Sequence, residues 1–304
     1  MFSKKKPKGR QELIIIVVTM SILVFYIGTF TYFPIIYSII GSFANWRPIR
    51  NIFEFSGFDN YKWMFENDLF WKSMWNTIRF AMITCALYVG LGLFFATLIF
   101  INKKFQGFFR SAFFMPVITS GVAVSILWRH AFYNTNSGIF NTVLEFFGGS
   151  PQMWLLDERL VIPCIIAMTV WKDLGYAIII FFAGLKEVPG ELFEAATIDG
   201  AGKMQLFRHI ILPMVKPATL LVAVTGMINY LQVLNPILLM TSRIDTGTVG
   251  GPGTASFTSM VLVFQNAFRE YHFGRASAVG YSLTVVILFF TFIQFRISKK
   301  GGDE

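Results

Sequence analysis

The chain has 304 residues, of which 55% are hydrophobic and only 14% are charged. Soluble domains carry about 25% charged residues, so this composition excludes an ordinary soluble domain and indicates a protein of the lipid bilayer. The formal net charge is +9, and the distribution of basic residues described below explains it without a nucleic-acid partner.

Six apolar windows are long enough to cross about 30 Å of hydrocarbon as helices. Five of them contain no charged residue, and the charged residues of the remaining one, the fourth, are Lys172 and Asp173. The sequence therefore predicts an all-α, polytopic membrane protein with six spanning helices. The predicted spans cover residues 13–33, 80–101, 111–128, 160–185, 217–242 and 276–295.

The spans define one membrane domain, 13–296, between a basic tail at 1–12 and a second tail at 297–304. The first apolar run is too long for a secretory signal and no small-residue cleavage site follows it, which predicts a retained helix. More than half of the 26 Lys and Arg residues fall on the side of both termini. The positive-inside rule predicts that both termini are cytoplasmic.

The loops predicted to lie outside differ in composition. The first, 44–73, is rich in aromatic residues, which favour the membrane interface, and we expect it to lie on the outer surface. The second, 132–159, contains turn signals, and the third, 243–257, has enough glycine for a flexible hinge or lip. The two cysteines, Cys85 and Cys164, fall inside predicted spans as small apolar residues, and no metal site is predicted.

A polar segment, 186–216, separates the fourth and fifth spans and carries the pattern E-A-A-x3-G-x9-I-x-L-P from Glu194 to Pro213. Seven fixed positions at roughly one chance in 15 each predict about one accidental match in 10^8 start sites. The segment resembles the signature loop of permease subunits in bacterial ABC importers, and the run EAATIDGAGKMQLFRHIILPMVKP resembles their carbohydrate-uptake branch. Weaker similarities include GFDNYKWMF, Met115-Pro116, GIFN and FGRASA.

This resemblance implies the bundle of a type I ABC importer permease (MetI-like) with a cytoplasmic coupling helix. In the family, the loop at 186–216, the coupling loop, docks into a groove on an ATP-hydrolysing subunit. Pro189 and Gly190 favour the start of a short helix at 191–198, and Gly200 favours its end. The resemblance assigns ATPase coupling to Glu194, Ala195, Ala196, Asp199, Gly200, Leu212 and Pro213.

The resemblance also implies partners in a bacterial cell membrane: a second homologous permease, two ATP-binding subunits and an extracellular or periplasmic solute-binding protein. The chain lacks the G-x-x-x-x-G-K-[ST] phosphate cradle. We therefore expect a transport subunit that is not an enzyme and binds no cofactor, with ATP and Mg²⁺ held by the partner ATPase subunits.

Two polar stripes occur within the predicted spans. The fourth span has polar residues at offsets 0, 3, 4 and 7, and the fifth at offsets 0, 4, 7 and 10, so each set is expected on one helix face. Such residues normally face protein or a water-filled cavity, and in the family these helices contribute to the sugar path. The predicted substrate path consists of Thr169, Lys172, Asp173, Tyr176, Thr225, Asn229, Gln232 and Asn235.

Other interpretations of these stripes remain open. Interhelical hydrogen bonds alone could explain them. Lys172 and Asp173, which point about 100° apart and are not expected to pair with each other, could form the relay of an ion-coupled secondary transporter. Lys172 also leaves open an anionic cargo, such as a uronic-acid oligosaccharide or glycerol phosphate. A membrane enzyme acting on lipid-linked sugars would need a carboxylate and histidine cluster, which the sequence does not suggest.

Overall fold

The structure is a computed structural model that describes residues 9–135, 137–242 and 249–300. Most of the predicted basic tail, the last residues of the C-terminal tail and part of the glycine-rich third outer loop, at 243–248, lie outside this range. The described residues are mainly helical, which confirms the predicted all-α class.

The first two helices, α1 (Arg10–Ile27) and α2 (Phe33–Ser42), join through one π-helical turn into a single rod. The stretch Glu12–Ser42 is long and apolar enough to cross a membrane, and 0% of its most apolar window is buried. The rod therefore presents its apolar side chains outwards along that window.

The first predicted outer loop forms a β-hairpin and a short helix that its aromatic composition did not predict. Strands β1 (Ala44–Arg47) and β2 (Ile52–Phe55) pair antiparallel, with Ala44 opposite Phe55, and helix α3 (Asp59–Glu66) follows. Asn60 Nδ2 donates to the carbonyls of Ser42 and Ala44 at 2.9 and 2.8 Å. The loop is thereby fixed to the end of α2.

The remaining helices form the bundle. Four stretches are long and apolar enough to cross a membrane, or up to six if each of two bent helix pairs counts as one span. The predicted third span is one of these pairs, bent by 93° between α5 and α6. The helices are α4 (Asp68–Ile101), α5 (Gln106–Ile118), α6 (Gly121–Leu127), α7 (Ile139–Phe146), α8 (Val161–Lys186), α9 (Gly190–Ile198), α10 (Lys203–Leu206), α11 (Leu212–Met214), α12 (Lys216–Leu231), α13 (Asn235–Thr241), α14 (Ser259–Phe264) and α15 (Phe273–Lys300).

Helix α8 lies at the centre of the bundle, packed against α4, α5 and α12. Its Ile165, Ile178 and Phe181 are fully buried. Glycine permits a close approach of α4 to α8, because a Cβ on Gly92 of α4 would lie 2.6 Å from the Cβ of Ala177. Membrane helices without a strong hydrophobic driving force associate through such small-residue contacts.

We expect Gly92→Ala to destabilise the bundle by about 1–3 kcal/mol, because the added methyl group overpacks the α4–α8 contact. Gly90→Ala is the matched control, since a Cβ on Gly90, in the same helix, meets nothing within 4 Å. Thermal unfolding in detergent, followed by the loss of monodisperse protein, measures the difference. Equal unfolding temperatures for the two variants would contradict the close packing.

Candidate functional site

The first helix of the coupling loop ends as the sequence predicts. Helix α9 stops at Ile198, and Gly200 follows with a φ of 75°. The Ala201 amide donates to the Ala196 carbonyl at 2.9 Å and the Asp199 amide to the Ala195 carbonyl at 3.0 Å. A 6→1 hydrogen bond around a left-handed glycine is the Schellman ending of a helix, which gives this glycine a backbone role.

The second helix of the loop is irregular. It passes from α10 through a π-helical turn, Phe207–Ile211, into α11. In a regular helix the Pro213 ring would clash with the carbonyl of residue 209. The wider π-helical turn lies directly before the proline and gives its ring room. The chain then bends by 69° at Val215 before α12 begins.

The outward face of the coupling loop combines small, acidic and large apolar side chains. Most of the motif residues are exposed, and Ala196 is half-buried. Large apolar side chains stand beside them, with Leu192 42%, Ile198 86% and Met204 74% exposed. Grouped exposed apolar residues of this kind mark protein contacts. The exposed motif residues are Glu194, Ala195, Asp199, Gly200, Leu212 and Pro213.

The inner face of the loop borders a cavity of about 660 Å³ that Phe193, Glu194 and Phe207 help to line. The ring centroid of Phe193 lies 6.2 Å from that of Phe100 at the end of α4, and Phe100 lies 6.2 Å from Phe182 of α8. Aromatic pairs at these distances attract each other. Ring contacts therefore connect α9 to the ends of α4 and α8.

The predicted fifth span is not one continuous helix. Helix α12 ends at Leu231 and α13 begins at Asn235, so the polar residues of this region lie on both sides of a break. The Thr258 hydroxyl donates to the Val233 carbonyl at 3.2 Å and thereby satisfies part of the opened backbone. Irregular backbone at membrane depth is tolerated where protein or a water-filled cavity satisfies it.

The break presents amide side chains outwards. Asn229, Gln232 and Asn235 are exposed. The Thr225 hydroxyl instead bonds within its own helix, to the Leu221 carbonyl at 2.7 Å. The three amides therefore form the exposed polar surface of this region, while the Thr225 hydroxyl donates within its own helix.

The predicted polar residues of α8 lie partly in the protein interior and partly on its exposed face. Thr169 is buried, and its Oγ1 has no hydrogen-bond partner among the described residues. Tyr176 is 46% exposed. Lys172 Nζ and Asp173 Oδ1 lie 3.0 Å apart, which contradicts the prediction that these neighbours do not pair. The reason is the flexible four-carbon stem of lysine, which reaches across the 100° between adjacent positions.

A family model described as binding-protein-dependent transport system inner membrane component matches residues 88–300. The chain belongs to this family. The permease is 31% identical over 288 residues to the arabinooligosaccharides transport system permease protein AraP of Bacillus subtilis, covering 94% of this chain and 87% of that one. It is 30% identical to a probable ABC transporter permease protein of Pyrococcus horikoshii, covering 91% and 93% of the two chains.

The fold of the permease is also that of a solved transporter chain. A chain in the crystal structure of a bacterial alginate ABC transporter, in complex with an alginate pentasaccharide-bound periplasmic protein, superposes with a TM-score of 0.80. The match covers 96% of both chains at 20% sequence identity. It confirms the expected architecture of an ABC importer permease.

The sequence did not indicate several residues of the coupling loop and of the candidate substrate path. Tyr88 and Tyr230 lie within electrostatic reach of Asp173, and their rings meet at 5.6 Å. Tyrosines in apolar helices carry no periodic signal that separates them from core residues. In the coupling loop, Phe193 and Phe207 line the inner cavity. The described residues contain no group of three or more His, Cys, Asp or Glu side chains that could hold a metal ion.

We expect Thr258→Val to destabilise the permease by about 1–3 kcal/mol, because it leaves the buried Val233 carbonyl without its donor. Thr258→Ser retains a hydroxyl and is the conservative control. Thermal unfolding of the two purified variants compares them. A valine variant as stable as the serine variant would show that this hydrogen bond does not support the break.

Proposed function

We propose that the permease carries a sugar or oligosaccharide into the cell as one membrane subunit of an ATP-driven importer. The observation that carries this proposal is the break between α12 and α13, where Asn229, Gln232 and Asn235 are exposed within the membrane-spanning bundle. Amide groups both donate and accept hydrogen bonds, as sugar hydroxyls require. The exposed ring of Tyr176 on α8 offers a face on which a sugar ring can stack.

The names of similar permeases support the cargo class. Related chains are called arabinooligosaccharides, multiple sugar-binding, diacetylchitobiose and lactose transport or uptake permeases. Membership of a binding-protein-dependent family favours this mechanism over an ion-coupled carrier and over an enzyme acting on lipid-linked sugars. Thr169, Lys172, Asp173 and Thr225 then lie beside or behind the proposed sugar path.

Energy reaches the permease through the coupling loop. Two partner subunits hold ATP and Mg²⁺, and ATP binding closes them around the exposed face at Leu192, Ala195 and Ile198. Helix α9 moves with them and displaces α4 and α8 through Phe193 and Phe100, which opens the bundle outwards. Hydrolysis then resets the inward state. A solute-binding protein delivers the sugar from outside.

The permease pairs with a homologous subunit and keeps both termini in the cytoplasm of a bacterial cell. The outward-facing apolar window of Glu12–Ser42 provides surface for that subunit or for lipid. At the other end of the chain, Ile297 and Ser298 of α15 line a cavity of about 520 Å³ together with Leu212 and Lys216. The C-terminal end of α15 and the coupling loop therefore share one side, in keeping with the bias of basic residues.

Uptake of labelled oligosaccharides tests the proposal. A strain that lacks this subunit loses uptake of at least one neutral oligosaccharide, and the gene for the wild-type chain restores it. Dissipating the ion gradients while ATP is maintained leaves uptake intact. Uptake that persists without the subunit, or that follows the ion gradient instead of ATP, would contradict the proposal.

A further inference from the structure

Lys172 and Asp173 form an ion pair within α8. The Lys172 ammonium donates a hydrogen bond to Asp173 Oδ1 at 3.0 Å, and the two side chains are 22% and 31% exposed. Tyr176 follows at spacings of four and three residues, so it neighbours both on the helix surface. The pair therefore lies within reach of a molecule bound at the exposed tyrosine.

The surroundings of the pair hold each partner in place. The Cε of Lys172 packs against the start of α6, 3.5 Å from the position that a Cβ on Gly121 would occupy. Asp173 lies within electrostatic reach of the hydroxyl groups of Tyr88 and Tyr230. Tyr88 lies on the neighbouring helix α4 and Tyr230 on α12. Among the described residues, Asp173 is the carboxylate within ion-pairing distance of Lys172.

An ion pair and a lone ammonium present different fields to a passing cargo. A lone charge inside a membrane protein is costly and attracts a counter-ion, whereas a pair has a dipole but no net charge. Because Asp173 already neutralises Lys172, the surface beside Tyr176 offers hydrogen bonds without favouring an anion. A carboxylate on the cargo would have to displace Asp173 or be repelled by it.

We propose that Asp173 determines specificity: by neutralising Lys172 it keeps the path selective for uncharged sugars and against uronic-acid oligosaccharides. This inference rests on the proposed sugar transport and assigns the substrate class. The alternative, in which Lys172 binds an anionic sugar, requires an ammonium that Asp173 does not hold.

The test measures binding to the complete permease complex in lipid nanodiscs by titration calorimetry, without the solute-binding protein, which selects cargo before the membrane. The probes are galacto-, gluco- and manno-trisaccharides, each paired with its C6-oxidised uronate. Wild-type complex binds at least one neutral member, and its uronate about tenfold or more weakly. In Asp173→Asn, we expect the ratio of the two affinities to shift towards the uronate by about tenfold or more.

Lys172→Gln provides a second variant with the opposite expected sign. It leaves Asp173 unpaired, so rejection of the uronate increases by about tenfold or more. The double variant Lys172→Gln/Asp173→Asn removes both charges and returns the ratio to that of the wild type. Glu66→Gln is the matched control, since Glu66 belongs to the exposed Lys62–Glu66 pair on α3 and its change leaves the ratio unaltered.

The outcomes separate this inference from the proposed function. A wild-type complex that binds neutral sugars, with single variants that leave the ratio unchanged, overturns the role of Asp173 alone. Wild-type preference for a uronate overturns it as well. A wild-type complex that binds none of the neutral trisaccharides, and a strain that imports none, contradict the sugar proposal itself. If one single variant fails to assemble, the other still gives a shift of defined sign.

Discussion

We expect Ala195→Arg to lower ATP-driven sugar uptake by about 100-fold while the permease still reaches the membrane. Ala195 is exposed on α9, and its carbonyl accepts a hydrogen bond from the Asp199 amide, so we expect the added side chain to leave the fold intact. It does prevent a partner surface from approaching the helix backbone closely. Loss of a central contact costs about 2–4 kcal/mol, which corresponds to about 30- to 1,000-fold.

Two measurements check this result. Initial uptake of labelled oligosaccharide is compared in cells with matched amounts of permease, and co-purification with the ATP-binding subunits is quantified. Ser150→Arg places the same side chain at an exposed position in the second outer loop and should retain uptake. Normal uptake in Ala195→Arg would show that the face of α9 that carries Ala195 is not a docking surface.

We expect Gln232→Leu to lower the kcat/KM of uptake by about 10- to 100-fold, because a sugar hydroxyl then loses its proposed partner in the path. Gln232 is exposed at the end of α12, and leucine at this position leaves the Thr258 hydrogen bond that supports the break intact. The coupling loop is unchanged, so the complex still forms and hydrolyses ATP. The loss should therefore appear as reduced stimulation of ATP hydrolysis by the sugar.

The matched control for Gln232→Leu is Thr219→Val, which removes a polar group near the start of the same helix. The Thr219 hydroxyl bonds to the Val215 carbonyl at 3.0 Å, away from the break. Uptake kinetics and sugar-stimulated ATP hydrolysis are measured for both. If leucine at 232 leaves kcat/KM at the wild-type value, the exposed amide surface is not the sugar path.

Helix α9 of the coupling loop could be predicted closely because its signals are local. A proline and two glycines delimit α9, and the left-handed Gly200 acts through the backbone alone. Four of the six predicted spans also correspond to helices that are long and apolar enough to cross a membrane, since span length follows from bilayer thickness. The bend between α5 and α6 was not predicted, although Pro116 and Gly121 flank the two residues, Thr119 and Ser120, that leave the helix.

The candidate path was predicted in residue type but not in geometry. Periodicity placed Gln232 and Asn235 on one helix face, whereas the chain leaves the helix between them. The break depends on Thr258, which is distant in sequence and reveals its role only through the contact with Val233. Likewise, the angle of about 100° between adjacent helix positions predicted that Lys172 and Asp173 do not pair. In the structure the flexible side chain of Lys172 reaches the Asp173 carboxylate.

ATP dependence of transport in proteoliposomes tests the central claim most directly. The permease is reconstituted with its partner subunits, binding protein is added outside, and labelled oligosaccharide uptake is followed with ATP or a non-hydrolysable analogue inside. We expect accumulation only with ATP, and we expect Ala195→Arg to lose both accumulation and sugar-stimulated ATP hydrolysis. Accumulation that continues without ATP, or in the arginine variant at the wild-type rate, would contradict it.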